Sequence, residues 1–205
     1  MKVALVGGTG SFGQAVAKRL LDAGVEVVIG SRDAERARES AAALGAEGAA
    51  NADAVRGVDL VLLAVKAEAA VDTARELREE IAQTPVLSVA SELSFGPGGV
   101  RPSEEATSVA QRTQDVIDAP VVAGLHSLAA ASLSEAPAEE DALVCGDDLE
   151  AKTLALELAG RLVSGRAVDA GPLASARALE GMTAVIVNVN KRYKVHAGIR
   201  ITGFR

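Results

Sequence analysis

The stretch VALVGGTGSFG, residues 3–13, decides the fold class of this 205-residue chain. Its first four residues are apolar and predict a β-strand, and Gly8, Gly10 and Gly13 match the spacing G-x-G-x-x-G. Apolar residues at helical spacing over 12–20 predict a helix directly after the glycines. In such a unit the glycines allow a sharp turn, contact between pyrophosphate and backbone, and close packing of the helix. We therefore predict a dinucleotide-binding turn; the alternative is a turn that only packs the helix on the strand.

The residues after the second predicted strand, 25–29, indicate which dinucleotide binds. An NAD-binding unit carries an Asp or Glu about 20 residues beyond its glycines, where it holds the ribose 2′-hydroxyl. This chain has Ser31 and Arg32 there, which would bind a 2′-phosphate, and Arg36 lies one helical turn further on. Asp33 is better explained as the N-cap of the next helix. The pattern therefore indicates NADP rather than NAD.

Strands and helices alternate along the rest of the chain, which predicts an α/β fold with a Rossmann-type doubly wound parallel sheet. Residues 91–118 are predicted to be a loop that begins with FGPGG at 95–99 and leads into a helix. This loop either holds a ligand or is a surface excursion. We expect an NADP-binding domain over residues 1–146 and a small C-terminal domain of helix and strand over 147–205, packed on the first. Further strands are predicted at 46–50, 59–65, 86–89, 121–125 and 167–170, and helices at 35–44, 51–55, 67–81, from 147 and at 174–191.

Composition and charge restrict the partners of the chain. Apolar residues make up 49% and aromatic residues 2%, so the core must be built from Ala, Val and Leu. The net charge of −7 argues against nucleic acid and an anionic membrane as partners, and no apolar run approaches the ~20 residues of a membrane span. The one cysteine, Cys145, excludes an intrachain disulfide, and His126 and His196 are too far apart for metal-ligand spacing. We expect a soluble, cytoplasmic protein without a metal site.

Few side chains suit acid–base chemistry. A Tyr-x-x-x-Lys pair is excluded because the only tyrosine, Tyr193, is followed four residues later by Ala197. His126 follows a predicted strand, at the sheet edge where the nicotinamide should lie, so it would orient a ring or polarise an acceptor; the alternative is a buried structural histidine. Leu128 and Ala130 would form an apolar wall for a ring. Hydride transfer between two flat rings needs stacking and exclusion of water but no strong acid or base, so the sequence favours a reaction between two cofactors.

Six segments together resemble the NADPH-dependent F420 reductase family, also called F420:NADP oxidoreductases. The resemblance extends over nearly the full chain. It implies hydride transfer between NADP(H) and the deazaflavin coenzyme F420, with the two rings stacked at the carboxyl edge of the sheet. The segments are GGTGSFG at 7–13, GSR at 30–32, LHS at 125–127, VCGDD at 144–148, DAGPL at 169–173 and GIRITG at 198–203.

The resemblance also implies roles for nine of the predicted site residues, and His126 is the candidate catalytic residue because of its place at the strand end. Two other functions remain open: a reductase of a flavin or another small acceptor, and a non-catalytic module that senses NADP(H). The apolar, Ala-rich helices favour a homodimer with the C-terminal helix as its interface. The residues expected at the pyrophosphate are Thr9, Ser11 and Phe12; at the 2′-phosphate, Ser31, Arg32 and Arg36; at the rings, His126, Leu128 and Ala130. The predicted cofactor-binding set is completed by Gly8, Gly10, Gly13 and Val65.

Overall fold

The predicted alternation of strands and helices is present in the computed structural model, which describes residues 1–204. One sheet contains β1 (Lys2–Val6), β2 (Glu26–Ser31), β3 (Glu47–Ala50), β4 (Leu60–Leu63), β5 (Val86–Ser88), β8 (Val121–Gly124), β9 (Ala142–Gly146) and β10 (Ala167–Asp169). A separate hairpin is formed by β6 (Leu93–Gly96) and β7 (Gly99–Pro102). The helices are α1 (Ser11–Asp22), α2 (Ala34–Ala42), α3 (Asn51–Ala54), α4 (Ala67–Glu76), α5 (Arg78–Ile81), α6 (Val109–Gln114), α7 (Ala130–Glu135), α8 (Leu149–Leu162) and α9 (Ala176–Tyr193).

The strand order is β10-β9-β8-β5-β4-β1-β2-β3, and the sheet is mostly parallel. This confirms the doubly wound Rossmann-type fold. The exception is β9, which the sequence patterns did not predict and which runs antiparallel to β8, with Gly124 opposite Val144. The polarity reverses because the connection through α7 stays at the edge where β8 ends, whereas a parallel strand would need a crossover to the opposite edge. Consequently β9 and its parallel neighbour β10 both begin at the carboxyl edge of the other strands.

Small apolar residues fill two cores, one on each face of the sheet. Alternate residues of β1 point to opposite faces, so Val3 and Leu5 belong to one core while Ala4 and Val6 belong to the other. The first core includes residues of α1 and α8, and the second includes residues of α4, α6 and α9. The many buried alanines let these helices lie close to the sheet, as the low aromatic content predicted.

Three local predictions need correction. The helix expected over 67–81 is broken at Leu77 into α4 and α5. The loop expected at 95–99 is instead the turn of the β6–β7 hairpin, because Gly99, with φ +104°, lets the chain reverse there. The helix expected from residue 147 begins at Leu149, as α8, and is capped by Asp148, which accepts a hydrogen bond from the Ala151 amide.

The segment after residue 146 supplies α8, β10 and α9. Strand β10 pairs with β9 in the same sheet, and α8 packs against the α1 side of that sheet. The division of the chain into two domains at residue 146 stays a prediction. Within residues 1–204, no helix is both long and apolar enough to cross a membrane.

Candidate nucleotide-binding and reaction site

Parallel strands bring the residues that follow them to one edge of the sheet. The glycine turn follows β1. Ser31 is the last residue of β2 and Arg32 is the next one, while Val65 follows β4 and His126 follows β8. Strand β1 lies between β4 and β2, so the chain leaves β1 and β4 toward opposite faces and a crevice opens between them. Ligands of doubly wound folds bind at such a crevice.

The glycine turn has the shape that contact with a pyrophosphate requires, but the positive φ lies one residue earlier than the motif suggests. Gly7 has φ +79°, and a Cβ there would lie 2.7 Å from Val65 Cγ1. A Cβ on Gly8 would lie 2.8 Å from a carbonyl oxygen of β1, and one on Gly13 would lie 2.7 Å from Gly8 Cα. Gly10 gives α1 no side-chain cap, so the first amides of this helix stay available to a phosphate.

A cavity of about 430 Å³ lies between the glycine turn and the ends of β2, β3 and β4. This volume is in the usual range for small-molecule and cofactor sites. Six of the predicted cofactor-binding residues lie in its wall: Thr9, Gly10, Ser31, Arg32, Arg36 and Val65.

The part of the cavity beside β2 is suited to a phosphate. Arg32 and Arg36 are exposed, and neither has an ion-pair partner within residues 1–204. Ser31 Oγ is 3.2 Å from the Asp33 amide and accepts a hydrogen bond from it, so the Ser31 hydroxyl hydrogen is left to donate to a ligand. The Asp33 side chain does not take part in phosphate binding, because its Oδ1 accepts hydrogen bonds from the Glu35 and Arg36 amides. These bonds confirm its role as the N-cap of α2.

The other predicted site residues lie outside the cavity wall. Phe12, Leu128 and Ala130 all pack on the apolar core beneath α1, and Leu128 is 7% exposed. Ser11 is exposed, and Gly8 and Gly13 are buried in the turn. The contact of these residues with a cofactor therefore stays a prediction.

His126 is buried at the carboxyl end of β8, beside the strained residue Leu125, whose φ is +65°. Its Nε2 lies 3.3 Å from the Ala90 carbonyl oxygen, and its Nδ1 has no partner within the described residues. Burial lowers the pKa of His126 to about 4, and the hydrogen bond with Ala90 opposes this only in part. The imidazole is therefore neutral at pH 7, which suits a hydrogen-bonding role and not the storage of a proton.

Helix α9 connects His126 to the hairpin that the sequence left without a role. The Thr183 hydroxyl lies 3.0 Å from the His126 carbonyl oxygen and 2.9 Å from Ser91 Oγ. Further along α9, Asn188 holds β7 by accepting a hydrogen bond from the Val100 amide and donating one to the Val100 carbonyl. The hairpin is thus fixed to α9 at the same edge of the sheet as His126.

Sequence reasoning missed several residues of the cavity wall. Gly7, Asn51 and Ala64 come directly after β1, β3 and β4, and the others are the N-cap of α4 or lie within α4. A signal for the first three existed in the strand ends themselves, because residues directly after parallel strands lie near the ligand crevice. The missed residues are Gly7, Asn51, Ala64, Lys66, Glu68, Ala69 and Thr73. Within the part of the chain that the structure describes, no group of three His, Cys, Asp or Glu side chains is placed to hold a metal ion.

The fold and this cavity define a Rossmann-type dinucleotide-binding protein with a phosphate-binding group beside β2. The family model described as NADP oxidoreductase coenzyme F420-dependent matches residues 2–92. F420-dependent NADP reductases of Methanothermobacter thermautotrophicus and Methanocaldococcus jannaschii are each 34% identical to the chain. Each match covers 98% of this chain, and it covers 95% of the first reductase and 98% of the second. The chain belongs to the F420-dependent NADP reductase family.

Solved structures support the fold. A crystal structure from Arthrobacter sp. FB24 has a TM-score of 0.85 at 24% identity, covering 99% of this chain and 100% of that one. An imine reductase from Streptomyces aurantiacus has a TM-score of 0.64 at 21% identity, and the match covers 95% of this chain and 62% of the imine reductase chain.

Proposed function

We propose that the chain catalyses reversible hydride transfer between NADP(H) and coenzyme F420. The observation that carries this proposal is the cavity beside β2, where Ser31, Arg32 and Arg36 are available to a 2′-phosphate in a chain of this family. In the forward reaction NADPH gives a hydride, with both electrons of its C–H bond, to the deazaflavin ring, and the ring takes one proton from solvent. The products are NADP⁺ and reduced F420.

The chain itself binds and orients the nucleotide. Arg32 and Arg36 attract the 2′-phosphate and Ser31 donates a hydrogen bond to it, which favours NADP over NAD. Gly10 and the first amides of α1 bind the pyrophosphate. These contacts direct the nicotinamide along the carboxyl edge toward His126.

On the acceptor side the residues exclude water and position a ring. Leu128 and Ala130 are apolar, and His126 is neutral, so this region carries no strong acid or base. A hydride moves between stacked rings when their reacting carbons are close and aligned, and no side chain has to take up a proton. His126 therefore acts by orienting a ring or polarising its carbonyl.

The reaction is tested by mixing the protein anaerobically with NADPH and F420 and following the deazaflavin absorption band. Protein-dependent bleaching of this band is expected. Parallel reactions with FMN and FAD separate the alternatives: rapid reduction of a flavin without effect on F420 would indicate a flavin reductase. Binding of NADPH without oxidation by any of the three acceptors would indicate a sensing module.

We further propose a homodimer that uses α9. Val185 and Tyr193 on this helix are 61% and 66% exposed. A second copy of the chain would cover this surface. A cytoplasmic location and the absence of a nucleic-acid partner stay predictions.

A further inference from the structure

The nucleotide cavity contains a buried polar atom that the protein leaves without a partner. Asn51, the residue directly after β3, is 8% exposed and lies in the cavity wall. Its Oδ1 is buried and has no hydrogen-bond partner within residues 1–204. An amide buried without a partner destabilises a fold, and alanine would avoid that cost. The polar side chain is therefore explained by a group that enters the cavity.

Gly30 makes the room that this amide occupies. The backbone of Gly30 lies outside the left-handed region, so its conformation does not require glycine. A Cβ on Gly30, however, would lie 2.8 Å from Asn51 Oδ1. The absence of a side chain at position 30 thus lets the Asn51 amide lie against the end of β2.

The register of the sheet places this amide beside the phosphate-binding residues. Ser31 pairs with Ala50, so Asn51 extends past the end of β2 next to Ser31 and Arg32. The group that Asn51 meets must therefore neighbour the 2′-phosphate. In NADP(H) the group that carries the 2′-phosphate is the adenosine ribose.

We propose that Asn51 is a nucleotide-binding residue whose amide oxygen accepts a hydrogen bond from the 3′-hydroxyl of the adenosine ribose. The proposal rests on the proposed function, because it takes NADP(H) as the ligand. The unpartnered atom is an acceptor, so its partner must donate, which excludes an ionised phosphate and selects a hydroxyl.

The test compares the affinities of NADPH and NADH, because both carry the 3′-hydroxyl and only NADPH carries the 2′-phosphate. Asn51→Ala should weaken both nucleotides by a similar factor of about ten, the effect of one hydrogen bond. Arg32→Ala should weaken NADPH alone. Asn51→Asp keeps an acceptor and adds a charge, so it should retain NADH and weaken NADPH. The control Asp53→Ala changes an exposed residue of α3 outside the cavity wall and should leave both affinities as in the wild type.

Stability separates a ligand contact from a structural role. The unliganded Asn51→Ala protein should melt at or above the wild-type temperature, since it loses an unpaired buried atom. Wild-type affinities in Asn51→Ala, a loss confined to NADPH, or a clearly lower melting temperature would each overturn the assignment. If the wild-type protein bound neither nucleotide, the proposed function itself would fail. Normal NADPH binding by both proteins would remove the Asn51 assignment alone.

Discussion

Glu180 offers a sensitive test of the packing of α9 against α6. This glutamate is 2% exposed, and its Oε1 accepts a hydrogen bond from the Ala110 amide at 3.3 Å. Burial raises the pKa of Glu180 to about 7, although amides at the start of α6 and the charges of Arg112 and Arg177 oppose the shift. Near neutral pH the buried Glu180 carboxyl group is therefore close to its pKa, and part of it is protonated.

The pKa shift sets both the size and the sign of the effect on stability. A pKa raised from 4.5 to about 7 corresponds to about 3 kcal/mol, at about 1.4 kcal/mol per pKa unit. Between these two pH values the folded state binds more protons than the unfolded chain, so stability is lost as pH rises through this window. Glu180→Gln removes the titration. We expect the variant to gain up to about 3 kcal/mol in free energy of unfolding relative to the wild type between pH 4.5 and 7, with a plateau above pH 7.

Urea unfolding at half-unit pH steps from 4.5 to 8 measures this difference. Subtracting the free energy of unfolding of the wild type from that of the variant cancels the contributions of the other titrating groups. Glu39→Gln is the matched control, because Glu39 is exposed on α2 and its substitution should give a difference that does not vary with pH. A Glu180→Gln difference that stays constant across the window would refute the reasoning. It would show that this carboxyl titrates as an ordinary glutamate does.

Three further predictions concern the cofactor site, the reaction and the assembly. Arg32→Glu should raise the Kd for NADPH by about ten- to a hundredfold and spare NADH, whereas Arg38→Glu on the following helix, α2, should change neither; equal losses for both nucleotides would contradict the assignment. His126→Ala should slow hydride transfer by about ten- to a hundredfold in stopped-flow experiments with NADPH affinity nearly unchanged, and the reverse pattern would place His126 in the nucleotide site or the core. Val185→Arg should convert a dimer to monomers in sedimentation experiments, and an unchanged assembly would place the interface elsewhere.

The parts of the fold that follow from local patterns could be predicted from the sequence. The strand, glycine turn and helix at 3–20 are specified by short-range rules, and the continuous apolar run of β4 is typical of a strand buried on both faces. Strand β9 was missed because its residues, ALVCG, do not differ in pattern from a buried helix segment, and its direction depends on a connection of seventeen residues. The hairpin was missed because FGPGG indicates a turn without showing that its flanks pair.

The candidate site divides in the same way. Ser31 and Arg32 were found because they follow a motif at a known distance, and the cavity wall contains both. Asn51 carries no motif, and its place beside Ser31 depends on the pairing of β2 with β3. The His126 carbonyl accepts a hydrogen bond from Thr183 of α9, which is 57 residues further along the chain. Long-range packing of this kind leaves no periodic trace in the sequence.

Direct transfer between the two coenzymes is tested by following the transferred atom. NADPH labelled with deuterium at both positions of the nicotinamide C4 is mixed anaerobically with F420 and the protein in ordinary water, and reduced F420 is examined by mass spectrometry. We expect one deuterium per molecule on the deazaflavin carbon that accepts the hydride, because a hydride passing between stacked rings does not exchange with solvent. Reduced F420 without deuterium, or oxidation of NADPH that leaves F420 unchanged, would contradict hydride transfer between NADP(H) and F420 in this protein.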